Sequence, residues 1–237
     1  MDILVRMIRS NRPIPAERVR LLIFDLDGTL VDSRLDLANS VNAMLERFGR
    51  PTLPCDVIAG YIGDGAPMLV RRSLGDPDDE VFLQEALGYF LQWYREHKLD
   101  NTYVYAGIQE ALAAIRAARN GSKPIEMAVL TNKPVNPSRA IVEALGLGPF
   151  FPRVYGGNSF HTKKPDPLGA RTLLAETGVQ PEEAVMIGDS EIDVLTGRNA
   201  GLWTVGVTYG FAPHTLETAP PDVLVDRPEE LKDLFAR

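Results

Sequence analysis

The run Leu21-Leu22-Ile23-Phe24 passes directly into Asp25-Leu26-Asp27-Gly28-Thr29. Four apolar residues in a row read as a strand covered on both faces, and that arrangement belongs to parallel sheets. The carboxylates that follow then lie at the strand's carboxyl end. The same pattern recurs downstream. Met127 to Leu130 leads into Thr131-Asn132-Lys133, AVMIG leads into Asp189-Ser190, and WTVGV and Val223 to Val225 supply two further apolar runs, with another around Val154. Helical spacing fills the gaps near 107 to 119, after Asn136, from about 167 and after Ser190. Alternation of this kind predicts an α/β fold, a Rossmann-like parallel sheet with helices on both faces. In such sheets ligands bind beyond the carboxyl ends of the strands. Chemistry is therefore sought at Asp25, Asp27, Thr131, Asn132, Lys133, Lys164 and Asp189.

One stretch breaks the alternation. After Asp32 and Ser33, either able to cap a helix, Leu37, Val41, Met44, Leu45 and Phe48 recur at helical spacing until Gly49 and Pro51 end the run. From about Leu53 to Leu99 only helix-period segments follow, so a helical insertion is expected there. The first twenty residues, with Arg6, Arg9, Arg12, Arg18 and Arg20, read as a loose extension or an overlong start, with a partner-binding or organellar arm as the alternative.

Charge and cysteine count narrow the function. Lys and Arg number 25 against 32 Asp and Glu, a net charge of −7. That balance argues against a nucleic-acid partner, which requires a basic face. Cys55 is the single cysteine, so neither an intrachain disulfide nor a cysteine-based zinc cage can form. No apolar run approaches the roughly 18 residues of a membrane span. A cytoplasmic protein without a membrane partner, monomer or homodimer, is expected.

Asp25 and Asp27 sit two residues apart at the end of a buried strand, a costly arrangement unless something positive joins them. A divalent cation is the natural partner, and Asp189 can add a third oxygen if the two strands are close. Oxygen ligands plus waters suit Mg2+ shared with a phosphate group. Thr131 and Lys164 add a hydroxyl and a point cation, and Asp25 can then attack phosphorus as a carboxylate nucleophile. Each piece also has a plainer reading: an acidic turn for Asp25 to Thr29, a helix cap for Thr131-Asn132, a solvated lysine for Lys164. The order acidic loop, Thr, Lys, acidic loop is what gives them weight together.

FDLDGTLVDS, VLTNKP, KKPDP and VMIGDSEID, in that order, resemble the four motifs of the haloacid dehalogenase superfamily phosphatases. The resemblance spans Leu21 to the C-terminus. It implies a catalytic core over 21–32 and 104–237, a helical cap over 33–103 and an N-terminal extension over 1–20. It further implies a Mg2+-dependent phosphomonoester hydrolase working through an aspartyl-phosphate. Position by position, Asp25 matches the nucleophile and Asp27 the general acid and base. Asp25, the Asp27 carbonyl and Asp189 match the metal ligands, with Asp193 behind them, and Thr131 and Lys164 match the phosphate-binding pair. Backbone amides around Gly28 to Leu30, including Thr29, and the side chain of Asn132 complete the phosphate cradle.

Within the superfamily the chain is most similar to the phosphoglycolate phosphatases, through YIGDGAPMLVRRSL, YGGNSFHTKKPDP and VGVTYGF. That similarity implies 2-phosphoglycolate as substrate, with Arg72, or its neighbour Arg71, meeting the carboxylate and Gly65 shaping the specificity loop. A solvated helix face is the alternative for the arginines. Another small phosphate ester such as a sugar phosphate, a phosphomutase, or a non-catalytic phosphate-binding module remain the competing readings. Asn158 replaces the acid found in more familiar members. Tyr89, Phe90, Trp93 and Tyr94 read as cap core or interface, and none of His97, His161 and His214 has metal-ligand spacing.

Overall fold

The strands of the computed structural model, which describes residues 9–120 and 123–236, are β1 (Arg9–Ser10), β2 (Leu21–Phe24), β3 (Val31–Asp32), β4 (Tyr103–Val104), β5 (Arg119–Asn120), β6 (Lys123–Pro124), β7 (Glu126–Leu130), β8 (Arg153–Tyr155), β9 (Ala184–Gly188), β10 (Trp203–Val207) and β11 (Val223–Val225). The helices are α1 (Arg34–Arg47), α2 (Cys55–Ala59), α3 (Ala66–Ser73), α4 (Glu80–His97), α5 (Ile108–Ala117), α6 (Val135–Ala144), α7 (Leu168–Thr177), α8 (Glu191–Ala200) and α9 (Glu229–Phe235). Seven strands form one sheet in the order β8, β7, β2, β9, β10, β11, β1. All neighbours are parallel except β1, which runs antiparallel to β11.

Period-two alternation splits the apolar runs between two cores. Leu22, Phe24, Met127, Val129, Val185 and Ile187 pack on one face with α5, α6 and α9. Leu21, Ile23, Ala128, Leu130, Ala184 and Met186 pack on the other against α7 and α8. Because β2 lies between β7 and β9, the loops after these three strands open onto a single crevice.

The extension is not loose throughout. From Arg9 it closes the β11 edge of the sheet, Arg12 pairs with Asp222 at 2.8 Å and stacks over Trp203, and Ile14 and Val19 are buried. An exposed edge is thereby covered, which local sequence patterning could not show because the partner strand lies more than 200 residues away. Residues 1–8, with Arg6, lie outside the described residues.

Helices α1 to α4 pack around a core of their own, centred on Val41, Met44, Ile58, Leu69, Phe90 and Tyr94. Asp79 caps α4 by accepting from the Phe82 amide at 3.0 Å. The chain enters and leaves this layer through β3 and β4, which pair antiparallel with each other. Asp36, in the first turn of α1, fastens the exit strand: its carboxylate accepts from the backbone and side chain of both Asn101 and Thr102 at 2.7–3.0 Å. No helix among the described residues is long and apolar enough to cross a membrane.

Candidate active site

Asp25 and Asp27 leave the end of β2 in different directions. The Asp25 amide donates to the Ile187 carbonyl at 2.9 Å, which ties the loop to β9. The Asp25 carboxylate lies 2.8 Å from Lys164 Nζ. The Asp27 carboxylate instead accepts from Ser33 Oγ at 2.6 Å and from Lys133 Nζ at 2.9 and 3.1 Å. Gly28 follows with φ +84°, and a Cβ there would sit 2.3 Å from Asp189 Oδ2. Only glycine permits both that backbone conformation and that close approach of the two acidic loops.

Asp189 stands at the end of β9, where the Phe211 and Ala212 amides donate to its Oδ2 at 2.6 and 3.3 Å. Asp193, one turn into α8, accepts from Lys164 Nζ at 2.6 Å and from Ser190 Oγ at 2.8 Å. Oxygens of Asp25, Asp189 and Asp193 lie within 4.8 Å of one another, all buried. Burial, offset in part by Lys164, pushes the Asp25 carboxyl up to about 6. Burial and the charges of Asp193 and Asp25 push Asp189 up to about 8. Burial acts to lower Lys164, but Asp193 and Asp25 outweigh it and hold the ammonium above its ordinary range.

Three carboxylates against one lysine leave two negative charges when all are ionised. A divalent cation matches that excess, and oxygen-only donors suit a hard ion. Both oxygens of Asp193 are already engaged by Lys164 and Ser190, so Asp25 and Asp189 are the members of the cluster free to turn toward a cation.

Thr131, Asn132 and Lys133 follow β7 across the crevice. Thr131 Oγ1 accepts from the Lys133 amide at 3.2 Å, and the Asn132 side-chain amide donates to the carbonyls of Lys164 and Gly63, both at 3.0 Å. Asn132 thus joins the Lys164 loop to the cap. Gly65, the residue before α3, has φ +85°, and a Cβ there would lie 2.9 Å from the Asn132 carbonyl. Lys163 adds a second tie by donating to the Asp64 carbonyl. The cavity enclosed between core and cap is lined by Asp25, Asp27, Thr131, Lys133, Lys164 and Asp189 below, and by Leu37, Ile62, Leu69, Phe90, Leu91 and Tyr94 above.

The fold therefore gathers Asp25, Asp27, Thr131, Asn132, Lys164, Asp189 and Gly65 around one cavity, with Gly28 packed beneath Asp189. The Thr29 hydroxyl is buried in the same loop without a hydrogen-bond partner. Arg72, expected to reach substrate from the cap, is not brought to the cavity. It sits in the last turn of α3, where Asp64 takes its guanidinium at 2.6 Å and the Tyr61 carbonyl at 3.3 Å. Arg71 points to Asp76 and Glu80. Asn158 Oδ1 accepts from the Val135 amide and so holds the start of α6. Sequence reasoning gave no role to Lys133 or to the Tyr94 hydroxyl. The available signal was a lysine at a strand's carboxyl end, beside the Thr-Asn pair.

The family described as haloacid dehalogenase-like hydrolase matches residues 22–207. The chain belongs to the haloacid dehalogenase-like hydrolases, and to the phosphatases among them. It is 37% identical over 223 residues to a phosphoglycolate phosphatase of Chromobacterium violaceum, covering 92% of this chain and 97% of that one. A phosphoglycolate phosphatase of Pseudomonas putida is 36% identical, covering 90% of this chain and 78% of the relative. Among solved structures, a predicted phosphoglycolate phosphatase from Haemophilus somnus superimposes with a TM-score of 0.83 at 29% identity, covering 92% of this chain and 98% of that chain.

Proposed function

We propose that the chain hydrolyses 2-phosphoglycolate to glycolate and phosphate through an aspartyl-phosphate on Asp25, with Mg2+ as cofactor. The observation that carries this reading is the division of labour at the end of β2. Asp25 lies beside Lys164 and faces Asp189, whereas Asp27 is held apart by Lys133 and Ser33. The names of the relatives support the substrate.

In this reading a carboxylate oxygen of Asp25 forms a bond to phosphorus while the bond from phosphorus to the ester oxygen breaks. Asp27 gives its proton to that departing oxygen, and glycolate leaves. Asp27 then takes a proton from water as the water oxygen bonds to phosphorus, and the bond to Asp25 breaks, restoring both carboxyl groups. Lys164 and the Thr131 hydroxyl steady the phosphoryl oxygens; the Gly28 and Thr29 amides, expected to join them, donate instead to the Val31 and Leu26 carbonyls, and the Asn132 side-chain amide to those of Lys164 and Gly63. Asp25, Asp189 and the Asp27 carbonyl would hold Mg2+, which supplies the positive charge that keeps Asp25 ionised and offsets charge on the phosphoryl group. Gly65 and the Asn132 tie seat the cap over the cavity, excluding bulk water.

Phosphate release from 2-phosphoglycolate, measured beside hexose phosphates and other small esters with Mg2+ and with chelator, tests the proposal. The expected result is metal-dependent release that is fastest on 2-phosphoglycolate. Faster turnover of a hexose phosphate would overturn the substrate, and metal-independent release would overturn the cofactor.

A further inference from the structure

A substrate carrying a carboxylate besides its phosphate needs a second cationic contact, and the cavity restricts where that contact can be. Among the described residues lining it, the cationic side chains are Lys133 and Lys164. Lys164 is committed to Asp25 and Asp193 at the phosphoryl end. Arg72 is held by Asp64, and Lys163 donates to the Asp64 carbonyl. Lys133 remains, with its side chain 5% exposed and its ammonium 4.5 Å from the centre of the Tyr94 ring.

An ammonium has three donors. Asp27 accepts from Lys133 through its two oxygens, at 2.9 and 3.1 Å, which leaves capacity for a further acceptor. Beside it, and facing its ammonium, is the Tyr94 hydroxyl, on a residue only 3% exposed, whose own hydrogen has no acceptor. A buried hydroxyl hydrogen without an acceptor is costly in an otherwise apolar wall. A cation and a hydroxyl with an unused hydrogen thus stand together in the cavity, one from the core after β7 and one from the cap helix α4. Both are next to Asp27, the group assigned to the ester oxygen. In 2-phosphoglycolate the carboxylate is one methylene from that oxygen, so a group reaching Asp27 reaches this pair as well.

We propose that Lys133 and Tyr94 together receive the substrate's carboxylate, which makes them, rather than Arg72, the residues that select a carboxylated phosphate ester. The inference rests on the phosphatase reading above and deepens it. Binding through both residues also bridges core and cap, so the acid that distinguishes the substrate helps hold the cap against the sheet.

The test is the ratio of kcat/KM on 2-phosphoglycolate to kcat/KM on ethyl phosphate, which lacks the carboxylate, in the wild type, Lys133→Met, Tyr94→Phe and Arg72→Ala. Lys133→Met should reduce the ratio by roughly 10–100-fold, the usual worth of a hydrogen bond to a charged group. Tyr94→Phe, which leaves the Lys133 and Asp27 pair in place, should reduce it several-fold, mainly through KM on 2-phosphoglycolate. Equal losses on both esters in Lys133→Met would mean that Lys133 acts through Asp27 alone and would overturn the proposal. A collapse of the ratio in Arg72→Ala would overturn it in favour of the cap arginine. If Lys133→Met does not fold, an unchanged ratio in Tyr94→Phe overturns the shared cradle. A wild type that shows no preference between the two esters removes the substrate reading itself, and this proposal with it. A preference that survives both cradle variants removes this proposal alone.

Discussion

Asp25, Asp27, Asp189 and Asp193, with Lys133 and Lys164, crowd the sheet side of the cavity, whereas Leu37, Ile62, Leu69, Phe90 and Leu91 line the cap side. The sheet side spends folding energy on buried charge, which short strands within a continuous hydrogen-bonded ladder can hold in place. The cap side keeps a separate apolar core and meets the sheet through Tyr94, the Asn132 and Lys163 ties and the paired strands β3 and β4. The contrast separates two tasks. The sheet layer places the charges, and the attached layer closes the cavity over them with an apolar wall.

The sharpest way to break this division is at the carboxyl end of β2. Asp25→Asn should lower kcat by about 10⁴-fold or more, as loss of a nucleophile does elsewhere, while the melting temperature holds. Retained turnover in single-cycle assays would move the nucleophile to another residue. Gly28→Ala forces a side chain into Asp189 and should cost about 10²-fold in kcat/KM, the scale of a displaced catalytic group. Tighter cation binding by this variant in calorimetry would contradict the packing described.

The acid cluster also predicts a pH profile. Asp189 rises from 3.8 to about 8 and Asp25 from 3.8 to about 6, so the folded chain keeps protons that the unfolded chain has already lost. Stability of the protein in chelator should therefore fall as pH rises from 3.8 to about 8, most steeply where both groups contribute. Thermal melts should show this loss, a divalent cation at the alkaline end should reverse it, and Asp189→Asn should flatten it. A wild-type melt that rises through this range would show that the carboxylates are compensated without a cation.

Effects in the cap should be smaller. Asp36→Ala strips acceptors from Asn101 and Thr102 and should cost about 1–3 kcal/mol in denaturant unfolding, with KM rising more than kcat falls. The reverse split would place the cap's fastening inside the chemistry. Smallest of all, Arg72→Ala loses a pair with Asp64 whose side chains are 36% and 31% exposed, and should change stability by about 0.2–1 kcal/mol. A larger loss would make that pair a structural part of the cap.

Much of the sheet is legible because its signals are local. AVMIG and WTVGV form strands at the residues their apolar runs mark, since such runs are stable only when covered on both faces. The acidic loops are legible for the same reason, being the points where apolar runs stop. The helical insertion shows in its change of period. The β1 edge strand does not, because a two-residue strand carries no periodicity and acquires its role only from β11. Arg72 illustrates the opposite difficulty: a basic residue on a cap helix reads as a substrate contact until the fold shows its guanidinium held by Asp64, just ahead of that helix.

By itself, then, the sequence determined the alternation of strand and helix, the place of the inserted layer, and the four loops that carry Asp25, Thr131, Lys164 and Asp189. Each rests on periodicity or turn chemistry within a few residues. Tertiary structure alone decided which charge faces which. Lys133 meets Asp27 across 106 positions and Lys164 meets Asp193 across 29, pairings set by strand order and register. Tyr94 reaches Lys133 only because α4 packs over the crevice. Side-chain identity supplies the charges, but distance and burial set how they interact, and both are properties of the assembled sheet and cap.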